Sequence, residues 1–112
     1  MESPLHKFKA EFFKALGHPL RLAILDILRE GEKGVSALQE ALKVEQSTLS
    51  QQLAILRQRG FLEVRKEGTA VYYRTADPQV YAFLDLGRLI FERQLEQSGV
   101  LLGRLRASEE VG

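Results

Sequence analysis

Apolar residues recur at helical spacing from Leu5 to Leu16, where Leu5, Phe8, Phe12, Phe13 and Leu16 alternate with Lys7, Lys9, Glu11 and Lys14 and predict a first helix. Gly17-His18-Pro19 interrupts it. Proline suits the first turn of a new helix, whose apolar face is Leu20, Ala23, Ile24, Ile27 and Leu28, with Gly31 and Gly34 closing it. Ser36-Ala37-Leu38-Gln39 has the form of a capping box, in which the serine oxygen accepts from the third helical N–H and the glutamine reaches back, so a short third helix to about Leu42 follows. After the link Lys43-Val44-Glu45, the stretch from Gln46 to Gln58 sets Leu49, Leu53 and Leu56 on one face. Ser47, Ser50, Gln51, Ala54 and Gln58 fall on the other face, and Gly60 is a natural stop for this fourth helix.

The period then changes. Phe61 to Lys66 and Ala70 to Arg74 are rich in β-formers and flank a short Glu67-Gly68-Thr69 turn, which predicts a β-hairpin with basic strand ends. Tyr72 and Tyr73 alternate in the second strand, one expected in the core and the other on the hairpin surface. Asp77-Pro78 reads as a helix start, with an N-cap side chain and then proline at N1. The last long helix, to about Gln97, carries Val80, Phe83, Leu84, Leu86, Gly87, Ile90, Phe91 and Leu95 on an arc of about 180°, wider than one packing face needs. Ser98-Gly99 is expected to break or bend it before an apolar piece of Val100, Leu101, Leu102 and Leu105 and a polar tail over about 107–112.

At 112 residues the chain is expected to be a single domain, residues 1–112, with a thin core that would gain from a partner. Zero cysteines exclude disulfides, thiolate metal sites and thiol redox switches, and only two histidines remain. His18, between Gly17 and Pro19, reads as a loop or capping residue rather than a metal ligand, and no cofactor is expected. No apolar run approaches the ~18 residues that span a bilayer, and Met1 to Ala10 is too polar for a signal-peptide core, so a cytoplasmic protein without membrane contact is expected. There is no glycine-rich phosphate loop, no histidine beside a plausible nucleophile and no carboxylate pair in an apolar stretch, so nothing supports an enzyme. The formal net charge of +1 hides an uneven distribution, because residues 43–74 hold six basic against three acidic groups, a surplus of three. That segment marks where a polyanion would sit.

Three helices, a polar-faced fourth after a tight link, a hairpin and a final helix make a mainly α chain with a small β-hairpin, the α1-α2-α3-α4-β-β-α5 order of a winged helix-turn-helix. Outward side chains that are short and hydrogen-bonding suit the major groove, which makes Gln46, Ser47, Thr48, Ser50 and Gln51 the candidate DNA-reading residues. Arg65 and Lys66 on the hairpin are candidates to neutralise phosphates, and Ser36 at a helix start to donate to one. The apolar arc of the last helix and the apolar first helix predict a homodimer through Leu5, Phe8, Phe12, Phe83, Ile90 and Phe91.

The stretch Lys14-Ala15-Leu16-Gly17-His18-Pro19-Leu20-Arg21-Leu22-Ala23-Ile24-Leu25, the segment Glu45-Gln46-Ser47-Thr48-Leu49-Ser50-Gln51-Gln52-Leu53, and Gly60-Phe61-Leu62 through Lys66-Glu67-Gly68 to Val71-Tyr72-Tyr73-Arg74 together resemble the ArsR/SmtB type of bacterial winged-helix repressors. The resemblance covers about residues 5–95 and implies a homodimer, double-stranded operator DNA with an inverted repeat, repression of transcription, and release by a ligand or chemical signal. There are departures from the pattern. Glu45 stands where members often have serine, a poorer N-cap, and Thr69 where many have arginine, which removes a charge from the wing tip. The third helix, Ser36-Ala37-Leu38-Gln39-Glu40, lacks the cysteine of the thiolate metal box, and the last helix lacks the histidine of the other metal site. An organic ligand, a protein partner or no inducer at all stay open. A winged-helix module that binds another protein without DNA is the competing class.

Overall fold

In the computed structural model, which describes residues 3–99, each of the first two helices begins with proline at its first position behind a side-chain cap. Ser3 Oγ accepts the N–H of His6 at 3.4 Å to open α1 (Pro4–Leu16). His18 Nδ1 accepts the N–H of Leu20 at 3.2 Å to open α2 (Pro19–Leu28), which is the capping role expected for that histidine. The chain divides into two units, Met1–Asp77 and Pro78–Gly112.

In the first unit, α2 leads into a two-residue strand β1 (Lys33–Gly34), then α3 (Val35–Leu42), α4 (Gln46–Gln58) and the hairpin β2 (Leu62–Glu67) and β3 (Ala70–Thr75). The sheet order is β1-β3-β2, antiparallel throughout. Strand β1 departs from the expected order of elements, since two residues carry no period that a sequence pattern could show. Its presence also corrects the capping box. The chain passes from β1 straight into α3, so Gly34 is the N-cap without a side-chain bond and Ser36 already lies inside the helix, exposed.

The link between α3 and α4 turns on Lys43, which has φ 53° and ψ 47° and donates its N–H to the carbonyl of Gln39 at 2.8 Å. Helix α4 spans the expected residues, and Glu45 caps it without a side-chain hydrogen bond. Its far end is a Schellman motif. Gly60, at φ +84°, donates to Arg57 O at 3.0 Å and Phe61 to Leu56 O at 2.9 Å. That turn aims the buried Phe61 ring at Phe12, 5.1 Å between centroids.

Ile24, Leu25, Leu38, Leu49, Leu53 and Leu56 are the largest fully buried side chains, three helices meeting on their apolar stripes. Burial of such a residue contributes about 1.5–3 kcal/mol each. The buried polar side chain among them, Gln52, accepts from Arg21 Nε at 2.8 Å. Arg21 Nη1 also donates to the carbonyl of Ala15 at 2.9 Å, so one guanidinium ties the end of α1 and the middle of α4 to α2. The hairpin turn is Gly68-Thr69 alone, with Glu67 paired to Ala70 and Gly68 at φ +61° in the first central position, where a type II′ turn places glycine.

In the second unit, Pro78 and Gln79 accept i+3 bonds from Tyr81 and Ala82 before α5 proper, Val80–Ser98, so the helix is entered through one tighter turn two residues later than Asp77-Pro78 suggests. Gly99, at φ +66°, closes it. Val80 and Leu95 are buried, whereas Phe83, Leu86 and Ile90 form an exposed stripe one to two turns apart. Val100, Leu101, Leu102, Leu105 and the tail over 107–112 lie outside the described residues.

Candidate nucleic-acid interface

The fourth helix has two chemically opposite sides. Leu49, Gln52, Leu53 and Leu56 are buried, while Gln46, Ser47, Thr48, Ser50 and Gln51 are exposed and have no side-chain partner among the described residues. Their donors and acceptors are therefore unspent. At helical spacing, Ser47, Ser50, Gln51 and Ala54 lie near the centre of the outer side, Gln46 close to one margin and Thr48 close to the other. The centre is built from short side chains, which lets a backbone approach closely.

An open cleft of about 330 Å³ lined by Ala54, Arg57, Gln58 and Tyr73 continues this side of α4 onto strand β3. A second, of about 500 Å³, is lined by Ser36, Gln39 and Glu40 of α3 together with Lys43 and Val44 of the link, so Ser36 shares a surface with Lys43. Ser36 is present at that surface although it is not a cap.

Arg65 and Lys66 are separated by the strand's own geometry, because successive side chains point to opposite faces. Lys66 pairs with Val71 and shares its face with buried Leu62, half-buried Val64 and Tyr73. It projects past the end of the core, exposed and without an ion pair among the described residues. Arg65 lies on the other face. Its Nη2 meets Glu32 Oε1 at 2.7 Å, its Nε meets Glu32 Oε2 at 3.1 Å, its Nη1 meets Glu67 Oε2 at 2.6 Å, and its carbon lies 4.5 Å above the Tyr72 ring. The hydrogen bond from Arg65 holds the Glu32 carboxyl below its ordinary range, and the two carboxylates raise the Arg65 pKa further. The structure thus brings Lys66 and the α4 residues onto surfaces that meet through Tyr73, and it does not bring Arg65 there.

The same test sorts the other cations of residues 43–74. Arg59 pairs with Glu11 at 3.3 Å and Arg74 with Glu63 at 2.6 Å. Lys43, Arg57 and Lys66 make no ion pair among the described residues, whereas the partners of Arg59 and Arg65 include Glu11 and Glu32 from outside that segment. Of Lys43, Arg57 and Lys66, sequence reasoning had singled out only Lys66. Lys43 and Arg57 carried no motif signal, and partner assignment needed three-dimensional neighbours.

Of the expected dimer residues, Leu5 and Phe8 in the first unit are exposed, and so are Phe83, Ile90 and Phe91 in the second. Phe12 is half-buried, with its ring also against Phe8 and Phe13, at 5.9 and 5.5 Å between centroids. Phe13, Leu86 and Leu89 are exposed as well and were not singled out for this role. Among the described residues no three His, Asp or Glu side chains gather as a metal cage, and no helix is long and apolar enough to cross a membrane.

Residues 18–64 match the model of the bacterial regulatory protein, arsR family. The chain is 42% identical over 109 residues to the HTH-type transcriptional regulator Rv0081 of Mycobacterium tuberculosis, covering 96% of both proteins. The crystal structure of Rv0081 superposes with a TM-score of 0.77 at 40% identity, over 87% of this chain and 98% of the other. The biofilm growth-associated repressor of Agrobacterium fabrum is 37% identical over 82 residues, 73% of this chain and 70% of that protein. The homodimeric winged helix-turn-helix DNA-binding domain of a possible ArsR-family regulator from Mycobacterium bovis superposes with a TM-score of 0.73 at 35% identity, over 87% of this chain and 94% of that domain.

Proposed function

The chain belongs to the arsR family of bacterial regulatory proteins, and from that premise we propose that it acts as a homodimeric, sequence-specific DNA-binding repressor of transcription in the cytoplasm. The observation that carries the reading is the outer side of α4, where Gln46, Ser47, Ser50 and Gln51 are exposed with no internal partner while the opposite side is buried. Gln51 and Gln46 have the amide geometry that pairs bidentately with adenine, and the serines accept or donate to any base. Lys66, Lys43 and Arg57 act as phosphate ligands in this reading, and Ser36 and Thr48 donate to the same backbone.

Two copies associate through exposed apolar residues, Leu5 and Phe8 of α1 in the first unit and Phe83, Ile90 and Phe91 of α5 in the second, together with the half-buried Phe12. Such a dimer binds an inverted repeat whose half-sites are about one helical turn, roughly 34 Å, apart. The test is selection from a random-sequence duplex library followed by affinity measurement on the selected site. Ser47→Ala and Gln51→Ala are expected to reduce discrimination against mutated sites by about 1–3 kcal/mol where a bidentate contact is lost. Failure to enrich any sequence, or an unchanged specificity ratio in Gln51→Ala, would overturn the assignment.

A further inference from the structure

Arg65 has the charge of a DNA ligand but, although exposed, is already engaged by two carboxylates. Its guanidinium leaves β2, passes over the Tyr72 ring of the neighbouring β3 at 4.5 Å, and ends in a two-point grip on Glu32, the residue before β1, with Glu67 taking its remaining side. In a sheet ordered β1-β3-β2, this single side chain reaches from β2 over β3 to the residue that precedes β1. The backbone alone links β1 to the hairpin through only two register pairs, Lys33 with Tyr73 and Gly34 with Tyr72. Those two residues run directly into α3. The hairpin is thus joined to β1 by a very short ladder and by this side chain, while its base, Phe61 and Leu62, is buried.

From this we infer that Arg65 and Glu32 form a positioning pair, a strap that holds the hairpin against the strand leading into α3 so that Lys66 is presented beside α4, and that Arg65 is not itself a phosphate ligand. The inference rests on the DNA-binding reading for its consequence, though not for the strap itself. The planar fork is needed because the grip uses two nitrogens on two carboxylate oxygens while the plane covers an aromatic ring. A lysine at this position retains the charge and loses the geometry. Glu67, one turn residue away from the tip, balances the remaining charge and keeps the guanidinium on this face.

The two roles for Arg65 predict opposite effects of one substitution. If Arg65 is a strap, Glu32→Gln weakens the grip, and DNA affinity falls with a flatter salt dependence, much as when Lys66 is replaced by glutamine. If Arg65 is a phosphate ligand restrained by Glu32, the same change frees it, so binding tightens and the salt dependence steepens by about 0.9 for each phosphate gained. Arg65→Lys separates them again, since a strap loses its function and a phosphate ligand retains most of it. The measurements are anisotropy titrations over a range of salt on the duplex that the wild type selects from a random library, with thermal melts to show that both variants fold. Backbone relaxation of the Gly68 amide in the free protein reads the strap without DNA, and greater mobility in both variants is expected. Tighter binding by Glu32→Gln, wild-type affinity in Arg65→Lys, or an unchanged Gly68 amide would each overturn the inference. Should the wild type select no duplex, the DNA-binding reading fails, and the Gly68 measurement still decides the strap.

Discussion

Replacing Lys66 by glutamine removes a cation that has no counter-ion among the described residues, and its effect on DNA binding follows from counting phosphates. Each neutralised phosphate contributes about −0.9 to the slope of log affinity against log salt. A homodimer carries two copies of Lys66, so the variant's slope is expected to be shallower by about 1.8. Between 50 and 200 mM salt, a fourfold change, the affinity gap between wild type and variant then narrows about twelvefold. The assay is anisotropy of a labelled duplex titrated with protein at several salt concentrations, on the selected site and on a scrambled one. Both sites should lose affinity alike, because a phosphate contact carries no sequence information. The informative controls are Arg59→Gln and Arg74→Gln, whose guanidinium groups pair with Glu11 at 3.3 Å and with Glu63 at 2.6 Å. They change the formal charge by the same amount as Lys66→Gln. If the slope follows the paired arginines as strongly as Lys66, net charge governs binding and the argument from pairing is refuted.

Three further outcomes are expected. Lys43→Gly relieves a left-handed backbone, φ 53°, and after the unfolded-state entropy of glycine is subtracted should stabilise the protein by about 0.5–1 kcal/mol in urea unfolding while weakening DNA binding. Phe83→Ser combined with Ile90→Ser removes two exposed apolar side chains of α5 and should shift sedimentation at micromolar concentration toward the monomer, with circular dichroism unchanged. Glu32 has its folded pKa lowered by the hydrogen bond from Arg65, so its contribution to stability is present above the ordinary carboxylate value of 4.5 and is lost as the pH falls through the lower folded value. Wild type and Glu32→Gln should therefore differ in urea midpoint at neutral pH and converge in acid.

Helices with a continuous apolar stripe were readable from the chain almost to the residue. Gln46 to Gln58 needed only the spacing of Leu49, Leu53 and Leu56 and the stop at Gly60, because local propensity and tertiary burial agree there. One reading failed where a long-range contact overruled a local signal, and another missed a helix boundary by two residues. Ser36 and Gln39 carry the residues of a capping box, yet Lys33 and Gly34 pair with Tyr73 and Tyr72, some forty positions away, and that pairing sets the start of α3. Asp77-Pro78 has the chemistry of a helix start, yet the regular helix opens at Val80 after a tighter turn. Phe12 shares the periodicity of Leu5 and Phe8, and only the path of the chain beyond Gly60 brings Phe61 against it.

The candidate site divides along the same line. The polar side of α4 is a local property, since a helix that buries leucines at this spacing must present Ser47, Ser50 and Gln51 outward. Charge is not local, because which carboxylates compete with a polyanion for a given cation depends on three-dimensional neighbours. Part of the sorting was nonetheless encoded in β2. Glu63, Arg65 and Glu67 alternate with Leu62, Val64 and Lys66, so one face reads acid, base, acid while the other runs from apolar to a terminal cation. On period alone, Arg65 falls between two carboxylates of its own strand and Lys66 falls on the face of Leu62. The sequence could not reveal Glu32, thirty-three positions earlier, which turns that local pairing into a connection from β2 to the residue that precedes β1. The alternation of the strand thus sends Arg65 and Lys66 to opposite faces, and of the two only Lys66 is left without an ion pair among the described residues.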